Sequence, residues 1–427
     1  MKRCFFFLLC CVVLLKSYAV TDTIPIGVNL AGAEFGVNQM PGVYNIDYTY
    51  PTVAEINYYA SKNIKLLRLP FRWERIQHTL NGSLDSIELH RIASFVDSCA
   101  VKGIKVILDL HNYGTYIIGN TPQFLGTAAV TIQNFSDVWK KIVTVFKTKK
   151  NIYAYNLMNE PNSLSKDVWP IAAQECIDSI REVDNTTHIL ISGENYSFAE
   201  SWVEYNDALS KLYDPNDKII FDAHCFFDND SQGLYPTINF DSSGVDFTTG
   251  VDRVKPFVQW LKKNNKVGLI SSFGAPANDS RWLILMDNFL KYVTANCVGA
   301  IYWAGGPWWN NYPLSIEPDT LGNDSKQMQL LSNYIGLTCV KDSSAAYDVP
   351  PVSVYPNPFT GTLTVEPCNC YNYSSLSVYN QLGRIVFTKT ITTNKNTINL
   401  SFLPNGIYIV VVRGTTATYT QKIIKIK

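Results

Sequence analysis

The chain has 427 residues, of which 46% are hydrophobic and 17% charged, a composition that excludes a disordered protein and suffices for two domains. Lys plus Arg equals Asp plus Glu at 36 each, so charge gives no reason to expect nucleic acid or another polyanion as partner. All 9 tryptophans precede residue 340, which already divides the chain into two unlike parts.

In chain order, the first element is MKRCFFFLLCCVVLLKSYAV. Lys2 and Arg3 precede an apolar run, and small residues Ser17 and Ala19 follow it, the layout of a secretory signal peptide over residues 1–19 with cleavage near Ala19. The run is short and Lys16 interrupts it, so no transmembrane anchor is expected. Cleavage removes Cys4, Cys10 and Cys11. It leaves Cys99, Cys176, Cys225, Cys297, Cys339, Cys368 and Cys370, an odd set with no regular disulfide framework, each read as structural.

From residue 20 to 338, short β-type runs alternate with longer helical ones. The runs begin at Ile24, Ile64, Ile104, Ile152, His188, Lys218, Lys266 and Val298, and each is nearly continuous in Ile, Val and Leu, as strands buried on both faces are. After the second run, Asp85 and Glu88 form a capping box. Leu89, Ile92, Phe95, Val96 and Cys99 then recur at helical spacing until Gly103 ends the helix. Eight such units point to an α/β fold, a (β/α)₈ TIM barrel. The rival is an open doubly wound sheet, but no G-x-G-x-x-G follows the first strand.

A barrel gathers its functional side chains where its strands end. Those ends carry Arg68, His111, Asn159 with Glu160, His224, Ser272 and Trp303. One or two would pass as hydrogen-bonded core residues; six ends converging on one mouth read as a site.

Residues 339–351 are small, polar and proline-terminated, a linker. From residue 352 to 427 come alternating strands TLTVE, SLSVYN, RIVFTK, NTINLS, GIYIVVVR and TQKIIKI, separated by turns at Gln381-Leu382-Gly383 and Pro404-Asn405-Gly406. This is a small all-β sandwich with no constellation that could carry chemistry. A carbohydrate-binding sandwich usually displays a row of Trp or Tyr, and this region has no Trp.

The segments GVNLAGAEFG, RLPFRWERIQ, DLHNYGTY, LMNEP and WAGGPWW, in this order, resemble glycoside hydrolase family 5, particularly its secreted endo-β-1,4-glucanases (cellulases). The likeness spans the barrel. It implies that Glu160 is the general acid/base and that Asn159 holds the hydroxyl at carbon 2 of the reacting sugar. It further implies that His111 and His224 line that subsite, that Trp303 stacks under the ring and that Arg68 lies beneath the nucleophile. Tyr113, Tyr116, Tyr196, Trp308 and Trp309 are either platforms for neighbouring sugars or core. The region 352–427 resembles the sorting domain of the type IX secretion system, which implies delivery outside the cell or to its surface through that machinery. The implied ligand is a β-glucan polysaccharide, with no cofactor and no metal.

Two positions depart from the family. Its nucleophilic Glu is replaced by Ser272, and a Tyr that donates a hydrogen bond to that Glu is replaced by Phe226. A retaining glycosidase needs two carboxyl groups about 5–5.5 Å apart, and a serine hydroxyl is neutral near pH 7. The two losses are coupled, because a buried phenol without its acceptor costs about 1–3 kcal/mol, whereas losing both partners can be nearly neutral. The expectation is therefore a secreted, cellulase-like protein that binds β-1,4-glucan with strongly impaired hydrolysis. One rival is an active endoglucanase using another carboxylate, for which Glu34, Glu194, Asp228 and Asp279 are candidates. The other is a non-catalytic surface adhesin.

Overall fold

A computed structural model of the protein describes residues 23–339, 352–367, 373–393, 395–414 and 418–427. The signal peptide, most of the linker, Cys368 and Cys370 lie outside the described residues.

Eight parallel strands close into a barrel: β1 (Ile26–Leu30), β2 (Leu66–Phe71), β3 (Lys105–Leu110), β4 (Ile152–Asn156), β5 (His188–Ser192), β6 (Ile219–His224), β7 (Gly268–Phe273) and β8 (Gly299–Gly305). Their spatial order follows the chain, and β8 closes against β1. Each expected strand is present, its start shifted by at most two residues, and the open-sheet alternative is excluded. A hairpin of Thr115–Ile118 and Thr121–Phe124 is inserted after β3.

The period of two along each strand builds the barrel interior in layers. Leu66, Ile107, Ala154, Leu190, Ile220, Leu269 and Ile301 form one apolar cluster inside it. Two residues further along the same strands stand Arg68, Asp109, Asn156, Ser192, Asp222, Ser271 and Trp303, nearly all polar. The apolar layer closes the barrel and the polar layer above it supports the mouth. Outside, the helices bury Trp139, Trp169, Trp202, Trp260 and Trp282 completely, where large aromatic surfaces contribute most to burial.

The helix Ser86–Val101 begins at Asp85, whose carboxylate accepts from the backbone N–H of Ile87 and Glu88. The reciprocal half of the expected capping box is not formed. Glu88 instead accepts from Tyr48, Tyr50 and Arg91, because tyrosines from a loop some forty residues upstream offer a buried carboxylate better donors than the exposed cap. Cys297 and Cys339 form a disulfide with Cα atoms 5.2 Å apart. Cys339, the first residue of the expected linker, is thereby held to the barrel. Cys99, Cys176 and Cys225 are free and buried.

The C-terminal region has two antiparallel sheets. One contains Val352–Tyr355, Thr362–Pro367 and Asn396–Asn399; the other contains Ile385–Thr390, Tyr373–Tyr379, Gly406–Gly414 and Thr418–Lys425. Alternate residues such as Leu363, Val365, Leu376, Val378, Val410 and Val412 face a common core. The strand at Val352–Tyr355 adds to those expected. Among the described residues no helix is long and apolar enough to cross a membrane.

Candidate active site

Arg68 is fully buried at the centre of the polar layer. Its guanidinium donates to Oδ1 of Asn29 (2.9 Å), of Asn156 (2.8 and 2.9 Å) and of Asn159 (2.8 Å), and it pairs with Asp109 at 3.0 Å. A planar fork with five donors suits this task, and Lys could not replace it. Because Oδ1 of Asn159 accepts from Arg68, the amide N–H groups of Asn159 are left for the mouth.

Asn159 and Glu160 follow the end of β4. The backbone N–H of Asn159 donates to Leu110 and its carbonyl accepts from Tyr113. Glu160 has φ 45° and Tyr113 φ 55°, left-handed conformations that non-glycine residues adopt at a cost of roughly 1–3 kcal/mol. Tyr196 (φ 56°) and Trp308 (φ 69°) share this conformation.

His224, at the end of β6, donates from Nδ1 to Oε1 of Glu160 at 2.6 Å. Its Nε2 faces Oγ of Ser271 at 3.0 Å, and that hydroxyl donates to Oδ2 of Asp222 at 2.8 Å. Burial disfavours the imidazolium, but the negative charge of Asp222, 3.7 Å from Nε2, and the hydrogen bond to Glu160 outweigh it and lift the His224 pKa to about 9. His111 is the opposite case. Burial lowers its pKa against the pull of Asp109, whose Oδ2 lies 2.6 Å from Nδ1, and Nε2 meets the Tyr113 hydroxyl at 3.1 Å. Near neutral pH one histidine is a cation and the other neutral, separated by environment alone.

Trp303 lies in β8, two residues before its end, and is joined to Ala304 by a cis peptide bond. Its ring stacks on His111 (5.6 Å, 16°) and meets Trp309 edge-on at 6.0 Å. Trp309 stacks in turn on Tyr312 at 4.4 Å and touches the edge of Phe35. Trp308 is 44% exposed and Tyr196 packs obliquely on Phe198 at 5.5 Å. Tyr116 takes the core alternative. It is buried, packs edge-on against Trp73 and donates to the carbonyl of Gln77 at 2.8 Å, so its ring offers no face to a ligand.

Ser272 is brought to the mouth by an irregularity in β7. Against β6 the register runs from Ala223↔Ile270 to His224↔Ser272, and against β8 from Ala300↔Ile270 to Tyr302↔Phe273. One extra residue in β7 therefore stands against both neighbours, a bulge that re-aims the following side chain. Consecutive residues thus stand near the strand end: Ser271 beneath His224, and Ser272 level with it in register. No hydrogen bond holds the Ser272 hydroxyl among the described residues, and its oxygen is not sealed off. Phe226 is buried under Gly233, where an added Cβ would come within 2.9 Å of the ring.

The four other carboxylates differ in availability. Asp228 accepts from the backbone N–H of Gly233, Leu234 and Tyr235 at 3.0–3.1 Å, which ties the loop over Phe226. Asp279 caps the helix Ser280–Ala295 and pairs with Arg281. Glu194 has its pKa raised by partial burial. Glu34 is buried, and its pKa is pushed up to about 7 by that burial, with Asp109 adding repulsion. One oxygen of Glu34 accepts from Gly32 at 2.8 Å, while the other is enclosed without a partner.

Reading strand ends thus locates the mouth but misses its support: Asn29, Asp109, Asn156, Asp222 and Ser271. Each of Asp109 and Asp222 precedes a named histidine by two residues, so the period of the strand is the signal that finds them.

Residues 28–311 match the family model of cellulase, glycosyl hydrolase family 5, and residues 353–427 match the secretion system C-terminal sorting domain. The chain is 33% identical to the probable endo-beta-1,4-glucanase B of Aspergillus oryzae over 316 residues, 73% of this chain and 90% of that protein. Among solved structures, Pseudomonas stutzeri endoglucanase Cel5A in complex with cellobiose is 39% identical with a TM-score of 0.69, covering 73% of this chain and 92% of that one. The endo-beta-1,4-glucanase Xac0029 from Xanthomonas axonopodis pv. citri is 35% identical with a TM-score of 0.68, covering 72% and 97%. The C-terminal domain points to a secreted or cell-surface protein. With a closed barrel, a polar mouth at its strand ends and a match over most of the barrel, the chain belongs to glycosyl hydrolase family 5.

Proposed function

We propose that this protein binds β-1,4-glucan in the barrel mouth and hydrolyses it poorly, because Ser272 occupies the position of the nucleophile. In this reading Trp303 carries the reacting sugar, Asn159 and His111 hold its hydroxyls, and Glu160 is the acid/base. Arg68 positions Asn159, while Tyr113, Tyr196, Trp308 and Trp309 serve neighbouring sugars. The relatives named as endoglucanases, one of them solved with cellobiose, support the ligand class.

The observation that carries the reading is the pair Ser272 and Phe226 at the site of an otherwise assembled polar mouth. A neutral hydroxyl cannot balance an oxocarbenium-like transition state as a carboxylate does. The four other carboxylates supply no evident substitute: Asp228 and Asp279 are committed elsewhere, and the uncommitted oxygen of Glu34 is enclosed. Glu194 lies on the loop after β5, with its carboxylate turned to the backbone N–H of Leu164. The test measures cello-oligosaccharide binding and soluble-cellulose hydrolysis on the same preparation. Binding without turnover supports the reading, turnover like that of intact relatives refutes it, and absence of binding favours the adhesin.

A further inference from the structure

A second concave surface lies outside the mouth, at the same end of the barrel. The loop after β1 and the start of the helix Ser86–Val101, which follows β2, enclose an open cleft of about 430 Å³. That volume falls within the range of small-ligand sites, about 300–1,000 Å³. Its lining is aromatic and charged at once. Tyr44 is half-buried with the Arg91 guanidinium 4.0 Å from its ring centre, and Arg75 lies 3.8 Å from the ring centre of Tyr48. Glu88 anchors the group by accepting from Tyr48, Tyr50 and Arg91. These long side chains are therefore held before any ligand arrives, which lowers the entropic cost of binding. Arg91 uses only Nη1 in this network, and among the described residues its Nε and Nη2 make no hydrogen bond. Val43 and Ile87, 56% and 60% exposed, give the cleft an apolar rim. Arg75 also builds the wall between cleft and mouth. It donates to the carbonyls of Ala33, Phe35 and Pro41, and Phe35 meets Trp309 of the mouth edge-on at 5.0 Å.

Two guanidinium groups, Arg75 and Arg91, stand against two carboxylates, Asp85 and Glu88, so the lining is close to charge-balanced. The remaining titratable group, His78, lies 3.2 Å from Asp85. A strongly anionic or cationic ligand meets repulsion there as well as attraction. A wholly apolar ligand would cover the free donors of Arg91 without pairing them, at a cost. A neutral ligand with apolar ring faces and a belt of hydroxyls suits both the tyrosine and the donors, and a sugar chain has that chemistry. We infer that this cleft is a second site for a β-glucan chain, distinct from the mouth, with Tyr44 as the ring contact and Arg91 as donor to its hydroxyls. The choice of glucan rests on the reading that the mouth binds β-1,4-glucan. Both sites open at one end of the barrel and share a wall, so a long polymer engages them together. Linked contacts hold such a chain more tightly than either site alone, whereas a short oligosaccharide gains nothing from the second.

The experiment measures two affinities on the full mature chain: adsorption to insoluble cellulose by depletion, and cellotetraose binding by calorimetry. Tyr44→Ala should weaken adsorption about tenfold, as loss of an aromatic anchor does, and leave cellotetraose affinity unchanged. Tyr44→Phe should adsorb like the parent, because it keeps the ring. Arg91→Lys should weaken adsorption severalfold, since it keeps the charge facing Glu88 but loses the planar donors. Unchanged cellotetraose binding in these variants guards against misfolding. Adsorption indifferent to Tyr44→Ala and Arg91→Lys overturns the second site and leaves the mouth reading standing. An effect of Tyr44→Phe as large as that of Tyr44→Ala overturns the ring contact. Tyr44-dependent adsorption by a parent that binds no cellotetraose supports the second site and overturns the mouth reading. A parent that binds neither ligand overturns both.

Discussion

Nδ1 of His224 lies 2.6 Å from Oε1 of Glu160, inside a mouth where the imidazole is almost wholly buried. The Ser271 hydroxyl, bonded to Asp222, engages its other nitrogen. Such a ring is held as a cation, and this has a consequence for stability. The folded pKa of about 9 lies above the ordinary histidine value. The contribution is therefore fully present below about pH 6.5 and is lost as pH rises through 9. At about 1.4 kcal/mol per unit, the change is somewhat above 3 kcal/mol. Thermal unfolding between pH 6 and pH 10 should show that loss, and His224→Gln should flatten it. A wild-type curve with the same slope as the variant would contradict the assignment.

Glu34 works in the opposite sense. Burial raises its pKa from 4.5 to about 7, so the folded state disfavours its charge. That penalty begins above the unfolded value near 4.5 and is complete above 7. Glu34→Gln should therefore leave stability nearly unchanged at pH 4 and raise it at pH 8, by up to about 3 kcal/mol. Denaturant titrations at the two pH values decide this. A variant less stable than the parent at pH 8 would mean that the carboxylate has a partner it needs.

Phe226 and Ser272 should behave as a coupled pair. Phe226→Tyr alone buries a hydroxyl without its family acceptor and should cost about 1–3 kcal/mol. Adding Ser272→Glu should recover part of that loss, a non-additivity that a double-mutant cycle measures directly. Strict additivity of the two changes in unfolding free energy would show that the two side chains do not meet.

Trp303 and Tyr116 separate a binding surface from core. Trp303→Ala should weaken cello-oligosaccharide binding about tenfold or more, as loss of a stacked aromatic anchor does. Tyr116→Phe should leave that affinity unchanged and cost stability about 1 kcal/mol, the worth of its bond to Gln77. Calorimetric titration with cellotetraose of both variants distinguishes them; an affinity loss in Tyr116→Phe would return that ring to the cleft.

The barrel was legible because strands buried on both faces cannot hide their apolar runs, and its mouth because polar residues stand where those runs stop. Most of what holds the mouth together was less legible. Arg68 was visible at a strand end, yet its partners Asn29 and Asn156 sit inside strands and read as ordinary interruptions. Glu88 carried a correct local signal for a cap, and tertiary donors at Tyr48 and Tyr50 overrode half of it. Ser271 could not be told from Ser272 without the bulge, since strict alternation would turn one of them away from the site. The Cys297–Cys339 disulfide had no spacing to announce it.

Whether the hydroxyl at position 272 can do the work of a carboxylate decides how this barrel handles glucan. Hydrolysis of a soluble cellulose derivative should be compared between the mature chain and its Ser272→Glu, Phe226→Tyr double variant. The double variant should turn over faster by on the order of a thousandfold, as expected when a nucleophile is regained. Equal rates in the two proteins, with the parent as fast as its endoglucanase relatives, would contradict it.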